Sequence, residues 1–359
     1  MAASNIQESR RSQNHQASRA VVVWLGVVYL MVFLMVMIGG ITRLTGSGLS
    51  MVEWRPLMGA LPPLGAAEWD RVFAIYRESP QYETVNSWME LADFKRIFFW
   101  EYLHRLWGRL IGFVVLLPGI YFLLRRRLRG RAAWWVAASF VLGGLQGVLG
   151  WWMVKSGLSD RPEVSHFRLA AHLGLAFFVG AWIWWLLLDL RLGRNPGPHH
   201  ARHRKAHVLS WGFLALLTVQ IVYGAFMAGT RAGYLYSSWP SMNGAFLPAE
   251  ALAPASGGPL SDPIFIHFLH RNLAWLVCGV GLWLAWMVRD RARMASVVLV
   301  VLLFLQFLLG VATVMAHMAV PLAAAHQGGA FLLLSAALLL THQTRASRSL
   351  SAGGLDSAG

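Results

Sequence analysis

Eight long apolar stretches follow one another along the chain, and they restrict its fold more than any other feature. They lie at about 21–41, 98–124, 132–154, 166–188, 207–230, 264–288, 294–316 and 319–341. A helix needs about 20 residues to cross the hydrocarbon core of a bilayer. Backbone groups in lipid must be satisfied within the segment, and these stretches are too long for barrel strands. The sequence therefore predicts an all-α integral membrane protein with eight transmembrane helices.

The composition excludes the soluble alternatives. Of the 359 residues, 57% are apolar or aromatic and only 13% are charged, whereas about a quarter of an ordinary soluble domain is charged. This excludes a soluble globule and a disordered chain. Cys278 is the single cysteine, which excludes an intramolecular disulfide and a cysteine-based metal site.

The distribution of charge predicts the orientation in the membrane. The tails and loops on one side carry 18 Lys/Arg and 4 Asp/Glu, and the alternate loops carry 9 Lys/Arg and 11 Asp/Glu. Because Lys and Arg remain cytoplasmic, we expect both termini in the cytoplasm. The membrane topology then explains the net charge of +15, and no nucleic-acid partner is needed to account for it. Residues 1–20 lack an apolar core and a clear cleavage site, so the first stretch is interpreted as an anchor.

The second half of the chain repeats the first. The matching segments, in order, are Thr42-Arg43 with Thr230-Arg231, His104-Arg105 with His270-Arg271, Leu145-Gln146 with Leu305-Gln306, and Ala171-His172 with Ala325-His326. Each repeat has four helices, so both halves enter the membrane in the same direction. We therefore predict two pseudo-symmetric four-helix bundles.

The predicted domain organisation follows from the repeat and the loops. It comprises a cytoplasmic tail 1–20, an N-terminal bundle 21–188 with an outer loop 42–97, a cytoplasmic linker 189–206, a C-terminal bundle 207–341 and a tail 342–359. The outer loop is too long to be a simple connector. Within it, Glu68–Arg77 and Trp88–Arg96 are expected to form short helices.

Four intramembrane histidines are the candidate ligands, namely His104, His172, His270 and His326. Histidine within a span is costly and usually faces the bundle interior. Each lies about six residues, or roughly 9 Å, inside the outer end of its helix. Two facing imidazoles in each bundle could hold one heme iron. The alternatives are hydrogen bonds between helices and, less favoured, a zinc or copper site.

Charged residues at the same level support the heme hypothesis. Candidates for binding the anionic propionates are Arg43, Arg105, Arg109, Arg168, Arg231 and Arg271, although each could instead extend toward lipid headgroups. Glu101 is the only carboxylate inside a predicted span, and it precedes His104 by three residues. A carboxylate in apolar surroundings can exchange protons, which indicates that the first half performs chemistry. The alternative is that Glu101 only pairs with Arg105.

These residues resemble those of the heme A synthase family, in the branch shared by alphaproteobacteria and mitochondria. The similarity lies in the run Gly39–Ser50, Glu101-x-x-His104-Arg105, His172, His270-Arg271 and His326, and it covers nearly all of 20–345. Some bacterial relatives have a cysteine pair in the first outer loop. This sequence has none there, which removes any thiol-based role in that loop.

The resemblance implies a function. Heme O is oxidised at its C8 methyl group to a formyl group through successive hydroxylations, giving heme A for the terminal cytochrome oxidase. His104 and His172 would flank the substrate heme, Glu101 would be the catalytic carboxylate, and His270 with His326 would ligate the iron of a heme b cofactor. Expected partners are heme O synthase (protoheme farnesyltransferase), an electron donor and membrane lipid, with a possible homo-oligomer, in the bacterial inner membrane.

Two other classes remain as alternatives. A di-heme cytochrome b-like quinol or electron-transfer subunit commonly places both hemes between one pair of helices, across the membrane, whereas here each candidate ligand is on a different helix. A transporter built from two repeats fits the architecture but does not explain paired histidines at one depth. The sequence has no nucleotide-binding fingerprint, so electrons would come from a membrane quinol or a partner protein.

Overall fold

Eight helices long and apolar enough to cross a membrane form the described part of the chain, and they confirm the predicted all-α membrane class. The computed structural model describes residues 19–53, 61–158, 163–193, 201–252 and 258–345. The eight helices are Arg19–Leu44, Leu91–Leu124, Gly130–Lys155, His166–Leu192, Ala201–Gly229, Pro263–Val288, Arg293–Met315 and Val320–Gln343. We number them first to eighth. Most of the predicted tails, and 194–200 of the predicted linker, lie outside the described residues.

The second helix differs most from its predicted bounds. It begins at Leu91, two turns before the predicted residue 98, and so includes most of the segment Trp88–Arg96 that we expected as a separate helix. A capping box between Glu90 and Asp93 fixes this start. The added turns are stabilised by burial of aromatic side chains such as Phe94, so hydropathy alone underestimated the helix.

The outer loop contains the other predicted helix, observed at Ala66–Arg77. Its Tyr76 is fully buried and stacks on Phe94 of the second helix at a ring-centroid distance of 5.0 Å. The Tyr76 hydroxyl donates to Gln81, whose amide donates to the carbonyl of Gly46 at 2.8 Å. Burial raises the pKa of the Tyr76 phenol. The loop is therefore packed against the outer end of the second helix.

The helices pack in a pattern that is compatible with two related halves. Each odd-numbered helix packs against the even-numbered helix that follows it, and the first, fourth, fifth and eighth helices meet in the centre. We call the first to fourth helices the first half and the fifth to eighth the second half. The domain boundaries assigned from the sequence remain predictions.

Close approach between the halves occurs at small residues. A Cβ on Gly180 of the fourth helix would lie 2.3 Å from the ring of Phe331 on the eighth, so only glycine fits there. Tyr29 and Ser335 share a hydrogen bond of 2.6 Å between the first and eighth helices. The Gln327 amide adds a bond to the carbonyl of Val36 at 2.6 Å. Both apolar packing and hydrogen bonds thus join the halves.

Both halves turn in the same way after their first helix. The chain passes through a left-handed residue and then a single 3₁₀ turn, Gly46 (φ 67°) before Ser47–Leu49 and Arg231 (φ 55°) before Ala232–Tyr234. Glycine adopts this conformation without a steric cost, whereas arginine does not. The turn is therefore a shared feature that the second half forms with a less suitable residue.

Candidate functional site

The four candidate histidines lie on the second, fourth, sixth and eighth helices, as predicted. His172 and His326 each come six residues after the first residue of their helix (166 to 172 and 320 to 326). His270 comes seven residues after Pro263. His104 comes thirteen residues after the start of its helix, because the second helix projects outward by two extra turns. All four side chains are half-buried.

His270 and His326 face each other across the second half. Their ring centroids are 6.4 Å apart and their planes are 85° apart. With a metal–imidazole bond of about 2.0–2.1 Å and about 1.1 Å more to each ring centre, two rings on opposite sides of one metal ion have centroids about 6.3 Å apart. The spacing is therefore compatible with two ligands of one iron, and the role of these residues as ligands remains a prediction.

In the first half, His104 and His172 occupy the corresponding positions on the second and fourth helices. The amide of Gln146 lies 3.4 Å from Nε2 of His172 and donates to the main-chain carbonyl of the same residue at 2.9 Å. The buried Nδ1 atoms of His172, His270 and His326 have no hydrogen-bond partner. Unpartnered imidazoles in facing pairs suit a group that supplies a metal.

Glu101 is buried, with 3% of its surface exposed, but its surroundings are not apolar as expected from the sequence. The carboxylate accepts hydrogen bonds from the Ser50 hydroxyl and the Met51 N–H, both at 2.7 Å. It also forms an ion pair with Arg105 at 2.5 Å. The Glu101 carboxylate is thus held by the turn after the first helix and by the next turn of its own helix. The ion pair that we considered as an alternative is present.

The equivalent position in the second half is occupied by His267. Its side chain is fully buried, and neither ring nitrogen has a side-chain hydrogen-bond partner. The ring of Tyr236 approaches it edge-on at 5.8 Å. The two halves therefore differ here in charge and in hydrogen bonding to the outer segment.

Two of the six candidate arginines hold the outer loops. Arg105 donates to the carbonyl of Met51 at 2.9 Å. Arg271 occupies the matching position and donates to the carbonyls of Ser238, Pro240 and Ser241 at 2.9, 3.2 and 3.3 Å. These arginines therefore have a structural role, whether or not they also contact a propionate.

The other four candidate arginines have varied surroundings. Arg43 reaches across to the second half and donates to the carbonyl of Ala228 at 3.0 Å. Arg168 stacks on Trp152, with its guanidinium 4.4 Å from the ring centroid. Arg231 is exposed, whereas Arg109 is half-buried and lies five residues further into the second helix than His104. The role of each arginine as a propionate ligand remains a prediction.

A cavity of about 340 Å³ lies above Glu101 in the outer region. Its polar residues include Ser50, Arg105 and Arg71, and Phe98 is among its apolar ones. Arg71 bridges two acidic residues of the loop, with nitrogen–oxygen distances of 2.7 and 3.1 Å. Hydrogen bonds to those carboxylates raise the pKa of the Arg71 guanidinium. This cavity leads from the outer surface toward the Glu101–Arg105 pair.

Sequence reasoning missed some residues of the site. Ser50 and Met51 contact Glu101 from a distant part of the chain, and only the folded turn places them there. The role of Gln146, Gln220 and Gln306, each bonded to a candidate histidine, was also missed. The recurring Leu-Gln-x-x-x-Gly of the third and seventh helices was the available signal for two of these.

Comparison with known proteins gives consistent matches over almost the whole chain. The family model COX15-CtaA, described as cytochrome oxidase assembly protein, matches residues 22–338. The chain is 46% identical to a heme A synthase of Rhodospirillum centenum over 92% of this chain and 89% of the relative. It is 41% identical to one of Nitrosospira multiformis (94% and 96%) and 45% identical to one of Sphingopyxis alaskensis (88% and 90%). The electron-transfer alternative is not favoured by these matches.

Proposed function

The chain belongs to the COX15-CtaA family of cytochrome oxidase assembly proteins, and we propose that it oxidises the C8 methyl group of heme O to a formyl group. Its function within the family is heme A synthesis. Conversion of a methyl to a formyl group removes four electrons in two successive hydroxylations, by way of an alcohol and a hydrated aldehyde. The chain must therefore bind a hydrophobic heme, hold it near a proton-exchanging group and exchange electrons with a redox partner.

The second half is proposed to hold a heme b. His270 and His326 would be its axial ligands, because their facing rings have the separation that one iron requires. A heme iron with two histidine ligands supplies one-electron transfer. Arg271 would stabilise the negative charge of the propionates at the outer end of the site. Its Nη2 at the same time donates a hydrogen bond to the outer loop. That the bound cofactor is heme b is part of this proposal.

The first half is proposed to bind the substrate, heme O. His104 and His172 would flank it, and Glu101 lies three residues before His104, on the same helix face. The Glu101 carboxylate is held by Ser50, Met51 and Arg105, so its orientation is fixed before the substrate binds. We propose that this carboxylate accepts and releases protons as the methyl group is oxidised.

The six outer arginines are proposed to provide the positive surface for the propionates of both hemes. Anionic groups bind arginine through charge-assisted hydrogen bonds. Arg43 is suited to this role since its Nε is buried without a hydrogen-bond partner. The proposed set also includes Arg105, Arg109, Arg168, Arg231 and Arg271.

The protein is proposed to lie in the bacterial inner membrane with both termini in the cytoplasm. The charge asymmetry of its loops supports this orientation. Heme O synthase, an electron donor and a second copy of the chain are the proposed partners.

Single-cysteine variants at Ala66 and Arg126, in a Cys278→Ser background, test the topology with a membrane-impermeant maleimide. Only the residue at 66 should react from outside, and labelling of 126 in intact spheroplasts would contradict the orientation.

The observation that carries the function is the pairing of four histidines in two sites, with Glu101 beside only one of them. The experiment is to purify the protein from membranes that make heme O, extract its hemes and follow conversion of added heme O to heme A. Heme b together with heme O or heme A, and heme A formation over time, is the expected result. Heme b alone, without any conversion, would instead indicate the electron-transfer alternative.

A further inference from the structure

Every candidate heme ligand lies against a glycine of the neighbouring helix. In each of the four helix pairs the even-numbered helix carries the histidine and the odd-numbered helix carries the glycine. The pairs are Gly39 with His104, Gly150 with His172, Gly224 with His270, and Gly310 with His326. A Cβ on these glycines would lie 3.1, 3.0, 3.2 and 3.0 Å from the nearest ring atom, respectively. A methyl group at any of these positions would therefore require the imidazole to shift by a few tenths of an ångström.

A glutamine accompanies the glycine in three of the four pairs. It stands four residues earlier, one helical turn away on the same face. Its Nε2 donates to the main-chain carbonyl of the histidine, from Gln146 to His172, from Gln220 to His270 and from Gln306 to His326, at 2.9, 3.0 and 2.9 Å. A carbonyl has two lone pairs and can accept this second bond. The backbone and the ring of each histidine are thus held by the same neighbouring helix.

The first helix departs from this pattern. Met35 stands four residues before Gly39, and a thioether cannot donate a hydrogen bond. The Met35 methyl group lies instead against Gly108, where a Cβ would be 3.4 Å away. In the described part of the chain, no glutamine amide bonds the carbonyl of His104. The exception therefore falls on the histidine nearest Glu101.

We propose that the Gln-x-x-x-Gly pairs are positioning elements that fix the orientation of three heme-ligating histidines, and that Met35 leaves His104 less restrained. This rests on the proposed function in that the histidines bind hemes. Residues around a ligand orient its ring and tune the metal it holds. A firmly held pair suits a permanent heme in the second half. One less restrained ligand suits the half where a substrate heme enters and its product leaves.

The experiment compares two glycine substitutions within the fifth helix of the full-length, heme-loaded protein. Gly224→Ala places a methyl group against His270, whereas Gly212→Ala is a matched control with no atom within 4 Å of the new Cβ. Gly224→Ala should shift the EPR g values and the midpoint potential of the bound heme, or convert part of it to a high-spin form. Gly212→Ala should leave both as in the parent.

A second variant keeps the test valid if Gly224→Ala does not fold. Gln220→Met removes the bond to the His270 carbonyl, keeps the side-chain length and reproduces the residue type found at 35. It should shift the same EPR signal and potential in a protein that elutes normally. Unchanged signals in both Gly224→Ala and Gln220→Met would overturn the positioning role. His270→Ala is measured alongside, and a normal low-spin heme in that variant would show that the ligand assignment itself is wrong.

Discussion

The two halves of the molecule share a scaffold and differ at one level of it. Each has a left-handed turn after its first helix, a histidine on its second and fourth helices, and an arginine that holds the outer loop. The first half has Glu101 in an ion pair with Arg105, and the second half has the fully buried His267. This position thus carries a carboxylate paired with an arginine in the first half and an imidazole in the second.

The outer segments of the two halves also differ in their contacts. In the first half Ser50 and Met51 turn inward to bond Glu101, and the helix Ala66–Arg77 covers that region. In the second half the loop is held by Arg271 through main-chain carbonyls. Glu101 and the outer loop that holds it are therefore the main differences between the two related halves.

The largest expected effect concerns the histidines, because their substitution should affect a different heme in each half. His270→Ala or His326→Ala should abolish the low-spin heme b spectrum, because each removes one of two facing ligands. His104→Ala and His172→Ala are the matched controls and should retain that spectrum while losing heme A formation. Reduced-minus-oxidised spectra of purified variants give the measurement. A normal heme b signal in both second-half variants would remove the proposed division of roles.

The next effect concerns the carboxylate that only the first half has. Glu101→Gln should lower heme A formation by about 10²–10⁴-fold, as expected for loss of a general acid or base. The variant should still hold heme b and should accumulate heme O or the half-oxidised alcohol. Glu68→Gln in the outer loop is the control and should be nearly as active as the parent.

If Glu101 serves only as the ion-pair partner of Arg105, the result is different. Glu101→Gln would then give poor expression or loss of heme, because an unpaired buried arginine is costly. Measuring heme A and heme b in the same membranes distinguishes the two roles. A full yield of heme A from the Gln variant would refute the catalytic role.

A smaller effect compares the two loop-holding arginines. Arg105→Ala leaves the Glu101 charge buried without its partner and should cost about 3–5 kcal/mol of stability. Arg271→Ala removes hydrogen bonds to carbonyls and should cost about 1–3 kcal/mol. Thermal unfolding in detergent should therefore rank Arg105→Ala below Arg271→Ala. The double variant Glu101→Gln/Arg105→Ala should recover part of the loss, and equal melting temperatures for the two single variants would contradict the ranking.

The smallest effect is expected at the surface of the outer loop. Arg71 bridges Glu53 and Glu68, but all three side chains are at least one-third exposed. An exposed ion pair contributes about 0–1 kcal/mol, so Arg71→Ala should barely change the melting temperature. Its rate of heme A formation should also remain close to that of the parent. A large loss of activity would instead show that the outer cavity takes part in turnover.

Several features of the fold could be predicted from local patterns in the chain. Hydropathy located all eight helices, because lipid requires a continuous apolar segment. The bounds of six agree to within four residues, the fifth helix begins six residues before its predicted start, and the second begins seven residues before it. The start of the second helix was missed, since its outer turns are stabilised by packing of Phe94 against Tyr76, eighteen residues earlier in the chain. The separate helix expected at Trp88–Arg96 was wrong for the same reason.

The candidate site, like the fold, could be predicted only in part from the sequence. The sequence determined which residue types are available, namely four histidines, six arginines and Glu101. The repeat matched the histidines and four of the arginines in pairs, whereas Glu101, Arg109 and Arg168 have no like residue in the second half. Only the tertiary structure decided that His270 and His326 face each other at 6.4 Å, and that Ser50, Met51 and Arg105 surround Glu101. Depth along a helix follows from residue number, whereas rotation and distance follow from packing between helices. The glycines beneath each imidazole set that packing, and their effect appears only when neighbouring helices come together.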